Sequence, residues 1–181
     1  ADGSVAVRFA LAAIRGVGEQ AMAALVAERR RGGGFADLLD LVDRVGTRGL
    51  NRRVLEALVQ AGALDRLDPC RRRLFEAIEP ALRWAQAAAE ARASGQASLF
   101  GGGEALLPPR PALPELADWP AAERLQREFQ TLGFFLSAHP LDAYAPALAR
   151  LGVVPLAGLA ERLEGGSRER VLLAGVPIGR Q

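Results

Sequence analysis

The chain has 181 residues, half of them apolar and 24% charged, with a formal net charge of +2, so it can bury a core and is neither disordered overall nor collagen-like. A single cysteine, Cys70, excludes an intramolecular disulfide and fits a reducing setting; with His139 as the one histidine, a Cys/His zinc site built from this chain is excluded too. No apolar run approaches the roughly 20 residues of a membrane span, and no basic-then-apolar secretory leader is expected at the start.

Abundant alanine and few aromatics predict a mainly helical protein. Residues 5–9 alternate and predict a short strand. Leu11 and Ile14 then stand three apart before Gly16-Val17-Gly18, and Met22, Leu25 and Val26 recur at helical spacing as far as Arg29–Arg31. Gly32-Gly33-Gly34 ends that helix. Phe35 to Val45 predicts a second amphipathic helix, with Asp37 as a candidate N-cap. Asn51 is placed to cap a helix over 52–60, and Leu50 to pack on Leu55 as a hydrophobic staple. Ala61-Gly62-Ala63 breaks that helix.

Residues 71–93 carry the longest helical pattern, with Leu74, Ile78, Leu82 and Ala85 on one stripe. Pro80 inside it predicts a kink or a division in two. Residues 94–118, with three consecutive glycines and prolines 108, 109, 111 and 114, read as a linker whose proline-rich part is extended. Helical periodicity returns over 121–136 and 141–151, and Pro155 opens another short helix. The stretch 170–178 reads as a strand, which cannot be stable alone. The expected organisation is therefore a helical domain over 1–93, a linker over 94–118, a helical connector over 119–164 and a terminal strand segment over 165–181.

All 23 basic residues are arginine. Codon bias from a GC-rich genome is the plain reading, but guanidinium also brings planar, forked donors suited to phosphate. The charge is uneven: residues 44–73 hold eight arginines against Glu56, Asp65 and Asp68, a net +5, whereas the part from Ser94 onward is −1. A local basic patch favours a local polyanion contact over general stickiness, although a solvated helix face looks similar.

Three constellations carry chemistry. The first is Leu11-x-x-Ile14-x-Gly16-Val17-Gly18-x-x-Ala21. Helices joined by glycine–hydrophobic–glycine form a helix-hairpin-helix, whose backbone amides at a helix N-terminus can seat a nucleic-acid phosphate without reading a base. Arg15, Gly16, Val17 and Gly18 are the candidate contacts. A second, degenerate copy runs from Val54 through Ala61-Gly62-Ala63-Leu64. Arg52, Arg53, Gly62 and Arg71–Arg73 are candidates there, although one surviving hairpin glycine also suits a structural role. The fold class is thus mainly α, with tandem hairpins. The third is Gln96-Ala97-Ser98-Leu99-Phe100, whose Leu–Phe pair costs about 1.5–3 kcal/mol per side chain to leave in water. It either folds back on its own domain or enters a partner's apolar pocket. No nucleophile–base pair or metal cluster is legible. Asp37, Asp40 and Asp43 read as a solvated face, and His139 as a locally bonded residue at a helix end.

The segments Val7–Gly18, Asn51–Asp65, Gln96–Phe100 and Leu132–Asp142 (Leu-Gly-Phe-Phe-Leu-Ser-Ala-His-Pro-Leu-Asp) resemble, in order and separation, bacterial replicative C-family polymerases. The resemblance covers nearly the whole chain. It implies a fragment of a DNA-directed DNA polymerase, a nucleotidyltransferase. The fragment would run from the end of the fingers through the duplex-binding helix-hairpin-helix region to the first strand of an incomplete OB-fold. It implies that the catalytic aspartates, and the Mg2+ they would hold, belong to a palm upstream of residue 1, with no cofactor in this segment. It also implies that Gln96, Ser98, Leu99 and Phe100 bind the sliding clamp (the beta subunit). Partners would be primer–template duplex, the clamp and the other replicase subunits, not a membrane. The location would be the bacterial cytoplasm, at the nucleoid. A stand-alone helix-hairpin-helix adaptor of repair or recombination, a damage-tolerance paralogue and a helical scaffold that binds no DNA are the competing readings.

Overall fold

The computed structural model describes residues 9–47, 49–93, 107–159 and 170–177. Among these the protein is helical, with six α-helices: α1 (Glu19–Gly32), α2 (Leu38–Val45), α3 (Arg52–Gln60), α4 (Arg71–Ala93), α5 (Ala121–Leu132) and α6 (Ala145–Arg150). The chain divides into two units, Ala1–Phe134 and Phe135–Gln181.

In the first unit, local chemistry fixes the helix starts. Asp40 N–H donates to Asp37 Oδ1 at 2.7 Å, and Val54 N–H to Asn51 Oδ1 at 3.0 Å, so each cap satisfies an amide the helix cannot. Capping at Asp37 is also why α2 begins at Leu38, three residues later than the apolar pattern suggests. Leu50 and Leu55 are both fully buried, as the staple requires.

The long helix α4 packs on α2 and α3 and is not divided. Pro80 removes one backbone donor, but Leu74, Ala77, Ile78, Ala81, Trp84, Ala85 and Ala88 keep a continuous buried stripe on both sides of it. That packing, at about 1.5–3 kcal/mol for each large side chain, outweighs a lost helical bond. Of the linker expected over 94–118, residues 94–106 lie outside the described residues. The rest is extended but not free. Trp84 Nε1–H donates to the Pro108 carbonyl at 2.9 Å, and Arg72 N–H to Asp118 Oδ1 at 3.0 Å. Arg110 stands over the Trp84 ring at 5.5 Å, and Trp119 is buried. Residues 107–119 are a strap lying on α4.

The strap leads into α5, which packs on α3 and ends at Leu132 rather than continuing to 136. Gly133 N–H closes it on the Phe129 carbonyl at 2.8 Å. The strand expected over 5–9 lies outside the described residues except Phe9, whose ring meets that of Phe134 edge-on with centroids 5.2 Å apart.

In the second unit, a 3-10 turn over Asp142–Tyr144 precedes α6. His139 is locally bonded: its N–H donates to Asp142 Oδ2 at 2.7 Å, and its Nδ1 accepts from Leu141 N–H at 3.2 Å. The helix expected after Pro155 begins, where described, with a 3-10 turn over Leu156–Gly158 and continues into Leu159 in the helical conformation; its remainder lies outside the described residues. Of the strand expected over 170–178, the described residues form a single parallel bridge from Leu172 to Val153, with Val154 N–H donating to the Leu172 carbonyl at 2.9 Å. Among the described residues no ladder extends from that bridge.

Candidate nucleic-acid interface

The first hairpin is tighter than two full helices. Its leading element is a 3-10 turn, Leu11–Ala13, and its second is α1. Gly16 turns the chain with φ +83°, which a side chain would strain. Ile14 and Val17 are buried beneath the turn. Val17 N–H donates to the Ile14 carbonyl at 3.1 Å. Val17 is thus a wedge whose amide closes the turn, not the free donor expected of it. The open amides begin at Gly18, the uncapped N-cap of α1, and run through Glu19, Gln20 and Ala21. These are the donors that helix geometry leaves without intrahelical partners, at the positive end of the helix dipole.

The groove in front of these amides holds about 900 Å³ and is open to solvent. Gly16, Val17, Gly18 and Gln20 form one wall; Gly49, Asn51, Arg53 and Val54 form the other. Two helix N-termini, those of α1 and α3, therefore border the same groove. Arg53 is exposed, has no acidic partner among the described residues, and would sit 3.5 Å from a Cβ placed on Gly16. Four of the expected contacts (Gly16, Val17, Gly18, Arg53) are brought together. Gln20 and Asn51 join them, neither of which spacing alone singles out as a site residue.

The other candidates have work inside the protein. Arg15 N–H donates to the Thr131 carbonyl at 3.0 Å and its Nη1 to the Gln130 carbonyl at 3.3 Å, so this arginine ties the hairpin to the end of α5. Arg52 pairs with Glu56 at 2.7 Å and Glu79 at 3.3 Å, and the Glu56 hydrogen bond holds its pKa above the usual guanidinium value. Gly62 closes α3: its N–H donates to the Val59 carbonyl at 3.0 Å and Ala63 N–H to the Leu58 carbonyl at 2.9 Å, the Schellman arrangement. A Cβ on Gly62 would collide with the Arg71 guanidinium. Arg71 is itself buried, which corrects its reading as a phosphate contact. The second copy therefore contributes the start of α3 to the groove, while its glycine turn is a helix stop.

The aspartates of α2 are not simply solvated. Asp37 caps, Asp40 receives Ala36 N–H and Arg44, and Asp43 takes a two-pronged bond from Arg92 at 2.7 and 2.8 Å. Gln96, Ser98, Leu99 and Phe100 lie outside the described residues.

Comparison with known proteins agrees with this geometry. The family described as "Helix-hairpin-helix motif" matches residues 1–74. DNA polymerase III subunit alpha of Vibrio cholerae is 38% identical over 154 residues, covering 82% of this chain and 13% of that protein. The Escherichia coli K12 protein of the same name is 39% identical over the same shares. That of Caulobacter vibrioides is 36% identical over 175 residues, covering 97% of this chain and 15% of its own length. The chain belongs to the DNA polymerase III alpha-subunit family. It spans about an eighth of the length of these relatives.

No helix among the described residues of this polymerase III alpha segment is long and apolar enough to cross a membrane. Nor does any group of three or more His, Cys, Asp or Glu side chains among them stand close enough to hold a metal ion.

Proposed function

We propose that this chain is the duplex-gripping, clamp-tethering segment of a replicative DNA polymerase alpha subunit acting at the nucleoid in the bacterial cytoplasm. The observation that carries the proposal is the groove. Uncapped amides at the start of α1 face it, Arg53, which has no acidic partner among the described residues, stands across from them, and glycine at 16 and 18 leaves room for a sugar–phosphate backbone to come close. Amides and guanidinium read charge and not base identity, so the grip is sequence-independent. The relatives' name supports a replicase context over a stand-alone adaptor.

Gln96, Ser98, Leu99 and Phe100 supply the second function. The glutamine bonds at the rim of a pocket on the sliding clamp while the Leu–Phe pair fills it. Tethering the polymerase to a ring on the same DNA raises its local concentration at the primer end without a new DNA contact. Polymerisation itself, with its Mg2+, and contacts to other replicase subunits belong to the rest of the parent protein.

Two titrations test this. Fluorescence anisotropy with two duplexes of unrelated sequence should give equal affinities that fall steeply with added salt; a salt-insensitive complex would overturn the phosphate grip. Joint replacement Gln96→Ala and Phe100→Ala should abolish binding to a purified bacterial sliding clamp and leave duplex affinity as it was. Clamp binding that survives the pair removes the tether.

A further inference from the structure

A second recess lies at the other end of α3 from the groove. It holds about 300 Å³, at the small end of the range for ligand sites, and is walled by Leu25, Phe35, Leu41, Leu58 and Leu64. Its charged lining is Arg29, from the last turns of α1, and Arg66, from the turn after α3. Both are exposed, and neither has an acidic partner among the described residues, although most arginines around them are paired: Arg31 and Arg44 on Glu28, and Arg71 on Asp65 and Glu128. The lining includes no acid, amide or hydroxyl side chain.

The geometry points to a docking site for an acidic peptide segment of a partner protein that inserts one bulky apolar side chain between Arg29 and Arg66. The walls supply the apolar burial and exclude water. The two guanidinium groups, fixed on separate elements, can each take a carboxylate flanking the inserted residue, which gives orientation and a faster encounter. A nucleobase fits less well, because its hydrogen-bonding edge would face leucine and phenylalanine and lose its partners. Since the recess and the groove share α3 but no lining residue, the docked peptide and a duplex can be held at the same time.

The test uses the full chain and a fluorescein-labelled peptide of aspartates around one central phenylalanine, followed by anisotropy. The phenylalanine peptide should bind at least tenfold more tightly than the same peptide with serine at the centre or with asparagines for aspartates. Ala63→Phe, which plugs the recess from an exposed position, should remove binding while duplex DNA affinity and the thermal midpoint stay as they are. Arg66→Glu should weaken the peptide at least fivefold. Equal binding of the serine peptide, no measurable binding of the phenylalanine peptide, indifference to Ala63→Phe, or displacement of the peptide by a single-stranded oligonucleotide would each overturn the assignment.

Discussion

Arg71 Nη1 lies 3.4 Å from Glu128 Oε1, and both residues are buried although 57 positions separate them. This pair joins the first turn of α4 to α5, and Arg71 extends it by donating to Asp65 Oδ1 and Oδ2, both at 2.8 Å, and to the Gln60 carbonyl at 3.2 Å. Burial alone would lower the Arg71 pKa; the hydrogen bond to Asp65 and the charges of Asp65 and Glu128 more than reverse it, so the guanidinium stays charged. Glu128→Ala leaves that charge with Asp65, which is the more exposed of its two partners. Breaking a buried pair in this way should cost about 3 kcal/mol, measured by urea unfolding. A loss under about 1 kcal/mol would show that the pair adds little beyond its own desolvation.

The two hairpin glycines that matter most differ in what they answer to. Gly62 has φ +75° and Arg71 packed where a side chain would stand. Gly62→Ala should therefore cost about 1–2 kcal/mol for backbone conformation alone, and more as Arg71 is displaced. Gly18 has an ordinary φ of −82° and nothing within 4 Å of an added Cβ. The fold does not require glycine there, so Gly18→Ala should change stability by less than about 0.5 kcal/mol. On the phosphate-grip reading it should still weaken duplex binding, because the added methyl stands between the amides and the incoming backbone. Thermal melts and DNA titrations of both variants separate the two roles.

What was legible in the sequence was what short-range chemistry decides. Asp37 and Asn51 are good caps because a carboxylate or amide oxygen three residues before an open N–H reaches it without help from the rest of the chain. The glycine spacing of the first hairpin is local in the same sense, as is the apolar stripe of α4. The errors are long-range. Arg71 opens a helix in a basic stretch, and nothing nearby in sequence shows that Glu128 will be brought over it. The proline-rich segment 107–119 looks like a free linker because its acceptors meet Trp84 and Arg72 only once α4 is in place. Val17 looks like a phosphate ligand because spacing does not reveal that the Ile14 carbonyl takes its amide first.

Acid should loosen the junction between α1 and α2. Glu28 takes Arg31 Nη2 at 2.6 Å and Arg44 Nε at 3.1 Å, and these hydrogen bonds, that from Arg31 foremost, hold its pKa below the ordinary 4.5. A depressed carboxylate contributes stability that is complete above its unfolded value and is lost as pH falls through the folded one. The stability difference between the wild-type chain and Glu28→Gln should thus be constant near neutrality and shrink below 4.5. Guanidinium chloride midpoints of both proteins at a series of pH values measure it. A difference that does not change across that window would mean that the Arg31 and Arg44 contacts do not favour the charged form.

The neighbours Arg52 and Arg53 should behave differently on DNA. Arg52 is held by Glu56 and Glu79, so its charge is largely cancelled before any ligand arrives. Arg53 has no acid among the described residues and faces the groove. Arg53→Gln should weaken duplex binding to the same degree for every sequence and reduce the slope of log affinity against log salt by about 1. Arg52→Gln should do less of both. Glu19, exposed at the first position of α1, works against the site, since it puts a negative charge in the first turn of the helix whose amides are offered to phosphate. Glu19→Gln should accordingly tighten the complex, and most at low salt, where charge repulsion is least screened. If Arg52→Gln proved the more damaging, or Glu19→Gln left affinity unchanged at low salt, the duplex would have to lie on a face other than the groove between α1 and α3.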